Sequence, residues 1–199
     1  VSKYHPNEAI LEAYNAGQRV FGESKVQEMV AKFEALPKDI EWHFIGHLQT
    51  NKIKYMAPFV SLIHGVDSLK LLKEIDKQAA KAGRRIKCLL QIHIAQEETK
   101  FGFTPNECKE MLDQGEWSEL KNIQLCGLMG MATNTDSTEQ VRAEFSSLSS
   151  LFDELKSAFF ASDEAFCELS MGMSDDYPEA IEAGSTLVRV GSKIFGERV

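Results

Sequence analysis

The sequence predicts an α/β fold, a single (β/α)8 TIM barrel, from three observations. Short apolar runs alternate with helical patterns from one end of the chain to the other. Eight such runs are counted when Val1-Ser2-Lys3 is taken as the tail of a truncated first strand. No linker or low-complexity stretch divides the 199 residues, so 1–199 reads as one domain. An open doubly wound sheet is the second choice, since it rarely needs so many even units.

Each element has its own signal. A helix is predicted over 7–17, with Asn7 as cap, an apolar face of Ile10, Leu11 and Tyr14, and Gly17 as its stop. A strand at 19–21 and a helix over 24–36, closed by Pro37, come next, followed by a strand at 41–45. A short helix at 50–57 leads to a strand at 60–64, and a helix over 68–82 ends at Gly83. The longest strand, 86–95, alternates Ile86, Cys88, Leu90, Ile92 and Ile94 on one face with Lys87, Gln91 and His93 on the other. That polar face is expected to line the barrel interior. A helix at 105–114 and a strand at 123–129 are followed by a long helix at 137–159, with Phe145, Leu148, Phe152, Leu155 and Phe159 at helical spacing. A strand at 166–170, a helix at 176–183 and a strand at 187–190 complete the series, before a Gly191-Ser192 turn opens a last helix.

Composition excludes some functions. A net charge of −8 and a pI near 5.2 argue against a polyanionic partner, because nucleic acid is bound through clustered Lys and Arg. No run is long and apolar enough to cross a bilayer. Cys88, Cys108, Cys126 and Cys167 lie far apart without a C-x-x-C pair, which reads as reduced core cysteines of a cytoplasmic protein. Val1 is not an initiator, so a segment ahead of the truncated strand is expected.

In a (β/α)8 barrel the chemistry lies at the carboxyl ends of the strands, and a phosphate site often lies after the last two. Lys3, His47, Ser170-Met-Gly-Met-Ser174 and Arg189-Val-Gly-Ser192 all fall at such ends. Lys3 is either a surface lysine or a nucleophilic amine whose pKa is lowered by burial or by a nearby cation. The backbone N–H groups of Gly191 and Ser192 either cradle a phosphate or simply turn the chain. Ser170 adds a hydroxyl to that cradle or ends its strand. Arg189 shares a face with Leu187 and Gly191, which points its head into the barrel, where a guanidinium needs a partner. Two partners stay open: a ligand's pyridine nitrogen, or a core carboxylate such as Glu23 or Glu168. A phosphate cradle at one end and an amine at the other suit pyridoxal phosphate.

His43 and His47 have H-x-x-x-H spacing, but on a strand and its exit that spacing spans about 13 Å, too far for one zinc ion, and no metal is expected. Met129 with Met131 and Met171 with Met173 read as core filling.

Seven stretches go beyond generic pattern: Val1-Ser-Lys3, Phe21-Gly-Glu-Ser-Lys-Val-Gln-Glu28, Trp42-His-Phe-Ile-Gly-His-Leu-Gln-Thr-Asn-Lys52, Lys100-Phe-Gly-Phe103, Gly127-Leu-Met-Gly-Met131, Leu169-Ser-Met-Gly-Met-Ser174 and Gly184-Ser-Thr-Leu-Val-Arg-Val-Gly191. Together, over the whole chain, they closely resemble the pyridoxal phosphate homeostasis protein family. The resemblance implies the barrel of the alanine racemase amino-terminal domain without that enzyme's second domain. It implies that Lys3 is the aldimine lysine, that Arg189 partners the pyridine nitrogen, and that Ser170, Gly191 and Ser192 hold the phosphate. His47 is carried as a further cofactor contact. Ser24 stands where the family pattern has asparagine, a shorter side chain beside the ring.

Three functions follow from that resemblance. The first is a monomeric holder of pyridoxal phosphate that supplies apoenzymes dependent on it and has no substrate turnover of its own. The second is an amino-acid racemase, which needs acid/base groups on both faces of the cofactor. The third is a barrel that has lost its ligand.

Overall fold

The structure, a computed structural model, describes residues 1–98 and 101–196; Lys100 of the Lys100-Phe-Gly-Phe103 stretch lies outside the described residues. Seven strands form one sheet in chain order: β1 (Val20–Glu23), β2 (Glu41–Phe44), β3 (Leu62–Val66), β4 (Ile86–Gln91), β5 (Ile123–Met129), β6 (Glu168–Met173) and β7 (Leu187–Arg189). Every neighbouring pair is parallel, as right-handed β-α-β crossovers require. The helices are α1 (Asn7–Asn15), α2 (Val26–Ala35), α3 (Ile53–Met56), α4 (Leu69–Lys81), α5 (Pro105–Gln114), α6 (Thr138–Phe159), α7 (Tyr177–Glu182) and α8 (Ser192–Phe195).

The sheet curls until β7 and β1 face each other across a seam. Val1 and Ser2 occupy that seam. The Val1 nitrogen donates to the Val190 carbonyl at 2.6 Å, and the Ser2 N–H donates to the Gly22 carbonyl at 3.0 Å. Val1 and Ser2 thus lie at the position of the expected first strand, with one backbone hydrogen bond to each side, and the (β/α)8 plan holds.

Helix ends follow local chemistry. Ser68 accepts the Leu71 N–H and starts α4, and a reciprocal capping box of Thr104 and Glu107 with Pro105 at the first helical position starts α5. Gly115 ends α5 in a left-handed conformation, φ 77°, that a residue with a Cβ adopts only at a cost. Leu71, Leu72, Ile75 and Ala79 of α4, like Phe145, Leu148 and Leu155 of α6, recur at helical spacing and are buried against the sheet. Each large side chain hidden this way contributes roughly 1.5–3 kcal/mol. A second, smaller apolar cluster of Leu62, Leu89, Cys126 and Met129 fills the barrel interior.

Several boundaries differ from the sequence reading, each for a physical reason. Asn7 is the first helical residue, preceded by Pro6, and supplies no side-chain cap. β4 stops at Gln91 because the chain returning at Phe103 takes over its bonding: the Phe103 N–H donates to the Gln91 carbonyl and the His93 N–H to the Phe103 carbonyl. β6 runs from 168 to 173 rather than 166 to 170, since Phe166 and the two residues before it form a turn stacked under Phe152 and Phe160. This last shift changes the reading of the site.

Candidate functional site

The carboxyl ends of the strands open at one mouth, and the seam brings the first and last site residues there together. A Cβ built on Gly191 would lie 3.3 Å from the Val1 carbonyl oxygen, so the turn after β7 packs directly on the segment that carries Lys3. Lys3 is half-buried, two residues above that contact.

The backbone on both sides of Lys3 is held by charged side chains from beneath. The Lys32 ammonium on α2 donates to the Ser2 carbonyl at 2.8 Å, to Glu23 Oε1 at 2.6 Å and to Glu28 Oε1 at 2.8 Å. Ser2 Oγ donates to Glu23 Oε1 at 2.6 Å, and the Tyr4 N–H donates to Glu28 Oε1 at 2.7 Å. Tyr4 sits at φ 67°, a conformation that needs such restraint in a residue with a large side chain. Glu23 is wholly buried and its second oxygen has no partner. Burial pushes its carboxyl up, while the bonds from Lys32 and Ser2 oppose the shift. This cluster is the core contact sought for Glu23, and Arg189 is not part of it.

Arg189 points into the barrel, 7% exposed. Its Nη1 donates to Ser170 Oγ at 2.6 Å and its Nη2 to the Gly130 carbonyl at 3.0 Å. Glu168, the other carboxylate considered for it, instead accepts from Thr186 Oγ1 at 2.6 Å. Burial lowers the guanidinium pKa to about 10, which leaves it charged at neutral pH. The barrel therefore holds a buried cation whose polar partners are neutral.

Because β6 extends to Met173, Ser170 lies mid-strand with its side chain inward, and its hydroxyl is committed to Arg189 and to His64 Nδ1 at 2.8 Å. The hydroxyl beside the Gly191 turn is Ser174: its Oγ accepts the Gly191 N–H at 3.1 Å. That arrangement leaves the Ser174 hydrogen to donate into the mouth. Sequence reasoning marked the stretch from Ser170 to Ser174 and took Ser170 as the hydroxyl of the cradle; the structure sets Ser174 beside the turn, the strand running three residues beyond the end read from the sequence. Gly191 and Ser192 do form the turn that opens α8.

His64 Nε2 in turn meets His43 Nδ1 at 3.0 Å. Both rings are buried, and burial lowers His43 to about 4 and His64 well below its ordinary value. Both are therefore neutral near pH 7. The strand alternation that put His43 inside was legible, but its pairing with a residue 21 positions away was not.

The remaining candidates lie around the rim. Ser24 follows β1 and packs so closely on the exit of β2 that a Cβ on Gly46 would fall 2.4 Å from the Ser24 carbonyl oxygen. His47 stands at the exit of β2, stacked on Phe101 with centroids 3.8 Å apart and 3.5 Å from Asp67. The structure groups Lys3, Arg189, Gly191 and Ser174 but engages His47 elsewhere. Gln91 faces inward and donates to the Phe101 carbonyl, and Lys87 on the same face is exposed at the far mouth. Among the described residues no three His, Cys, Asp or Glu side chains gather as a metal site, and no helix is long and apolar enough to cross a membrane.

Comparison with known proteins places this arrangement in a family. Residues 2–199 match the model of the alanine racemase N-terminal domain. The pyridoxal phosphate homeostasis protein of Aquifex aeolicus is 44% identical over 198 residues, which cover 99% of this chain and 85% of that one. PipY of Synechococcus elongatus PCC7942 is 38% identical; its structure without PLP superposes with a TM-score of 0.91 and that with PLP bound with 0.87, each over 98% of this chain and 90% of PipY. Alanine racemase of Clostridium difficile 630 shares the fold at a TM-score of 0.76 and 15% identity, with this chain spanning 50% of its length. A match of this extent and identity means that the chain belongs to the alanine racemase N-terminal domain family and, within it, to the pyridoxal phosphate homeostasis proteins.

Proposed function

We propose that this protein binds pyridoxal 5'-phosphate through Lys3 at the barrel mouth, and that it takes part in vitamin B6 homeostasis as a holder of the cofactor. The observation that carries the reading is the seam: Val1 and Ser2 lie between β7 and β1, so the Lys3 amine and the Gly191 turn open at the same mouth.

The donor set fits such a ligand. Bound pyridoxal phosphate supplies an aldehyde that condenses with amines, a pyridine nitrogen and a dianionic tail. Lys3 is the amine. The Ser174 hydroxyl and the Ser192 N–H offer donors for the phosphate, the Gly191 N–H being already donated to Ser174 Oγ, and the side-chain role passes to Ser174 from Ser170 because the Ser170 hydroxyl is engaged. Arg189 is a buried cation without a carboxylate partner, suited to donate a hydrogen bond to an unprotonated ring nitrogen and unable to lose its proton there. Ser24 flanks the mouth beside Gly46 and leaves room next to the ring. His47, held by Phe101 and Asp67, contributes at most to the outer wall.

Support also comes from the relatives, which are named for homeostasis rather than for a reaction, and from PipY, whose structure includes PLP. We read the chain accordingly as a cytoplasmic, monomeric single domain that passes the cofactor to apoenzymes without turnover of its own. A racemase would need a second acid/base group on the far face of the cofactor.

Borohydride reduction of the protein with pyridoxal phosphate, followed by peptide mass analysis, tests the reading. The reduced adduct is expected on Lys3 and is lost in Lys3→Ala. An adduct spread over surface lysines, unchanged by that substitution, refutes it. Exchange of an amino acid's α-proton into solvent would favour the racemase.

A further inference from the structure

The Arg189 cation is the first member of a hydrogen-bonded chain of otherwise neutral buried groups. Arg189 Nη1 donates to Ser170 Oγ, Ser170 Oγ meets His64 Nδ1, and His64 Nε2 meets His43 Nδ1, at 2.6, 2.8 and 3.0 Å. These groups come from β7, β6, β3 and β2, so the chain crosses the barrel from wall to wall. Ser170 is wholly buried, His64 1% exposed and His43 9%.

The hydrogens can be assigned. A neutral imidazole carries one N–H, so one nitrogen of His64 donates and the other accepts. If His64 donated to Ser170, the serine oxygen would accept twice, from His64 and Arg189, and its buried hydrogen would have no acceptor. That costs the desolvation of a hydroxyl. In the opposite polarity the Ser170 hydrogen and the His64 N–H both find acceptors: Arg189 donates to Ser170, Ser170 to His64 Nδ1, and His64 Nε2–H to His43 Nδ1. A serine oxygen that donates its own hydrogen onward is also the better acceptor for Arg189. No member of the chain bears a negative charge, so the guanidinium keeps its full charge for whatever lies above it.

We propose that Ser170, His64 and His43 are positioning residues that fix the Arg189 guanidinium against a heteroaromatic ring nitrogen of the bound ligand, and hold it there without neutralising it. The proposal rests on the reading of the site as a pyridoxal phosphate site. It assigns function to two buried histidines and a serine that the cofactor-holding groups leave unused.

The experiment compares pyridoxal phosphate with its 1-deaza analogue, in which the ring nitrogen is replaced by a C–H group. Affinities of both ligands are titrated on wild type, Ser170→Ala and His64→Gln, with each variant's fold checked by circular dichroism. For Ser170→Ala we expect a loss of about tenfold for pyridoxal phosphate, the worth of one hydrogen bond to a charged group, and a change of less than about twofold for the analogue. His64→Gln, with an amide that can accept from Ser170, should fall between wild type and Ser170→Ala, and its absorbance band with pyridoxal phosphate should lie closer to that of wild type. Equal losses for both ligands, or no loss for pyridoxal phosphate, overturn the proposal. Should Ser170→Ala not fold, His64→Leu, which removes the acceptor and keeps Ser170, decides by the same ligand comparison. Wild type that binds neither ligand refutes the cofactor reading itself, an outcome distinct from equal losses in the variants.

Discussion

Acidification attacks this barrel from inside, through His43 and His64. Burial lowers His43 from 6.5 to about 4, with Lys87 adding repulsion, and lowers His64 well below its ordinary value, with His43 and Arg189 adding to the effect. A depressed folded-state pKa means that the unfolded chain binds the proton first. The stability each neutral ring contributes is therefore present above its ordinary pKa and is lost as pH falls toward the folded value. For His43 the window runs from 6.5 down to about 4 and the loss is on the order of 3 kcal/mol. His64 adds to it with the same sign. With a urea slope of about 2 kcal/mol per molar, His43 alone moves the unfolding midpoint down by about 1.5 M across the window. The assay is urea denaturation of the ligand-free protein at the two ends of that window, for wild type and for His43→Gln/His64→Gln. Carboxylate titration contributes to both proteins and cancels in the comparison. If the double variant loses as much midpoint as wild type, the buried-imidazole argument is wrong.

Other predictions test different parts of the molecule. Lys32→Met leaves the Glu23 carboxylate buried without its ammonium and is expected to cost about 3–5 kcal/mol by chemical denaturation, most of it regained in Glu23→Gln/Lys32→Met. Gly127→Ala would place a Cβ 1.7 Å from the Glu168 carbonyl oxygen at φ 148°, so we expect insoluble protein on expression and a soluble yield equal to wild type would contradict the geometry. Leu155→Ala, at a fully buried position of α6, should lower stability by about 2–5 kcal/mol in calorimetry. Ser174→Ala should weaken pyridoxal phosphate binding and leave binding of unphosphorylated pyridoxal unchanged, since the hydroxyl faces the Gly191 turn and not the Arg189 chain.

Parallel order, the helix count and the mouth at which the chemistry gathers were determined by the sequence alone, because hydrophobic period and turn residues are local signals. Alternation across β7 turns Arg189 inward, and glycines mark the turn at 191 and the stop at 83. The tertiary structure decided three things. Val1 and Ser2 lie in a seam, a place defined by bonds to Val190 and Gly22 at opposite ends of the sequence. Which serine meets the turn depended on a strand that runs on to Met173, where it pairs with Arg189 of β7 and its N–H donates to Asp176. The partners of Arg189 come from strands far apart in the chain, and hydrogen bonds across a closed barrel leave no periodicity for a linear reading to detect.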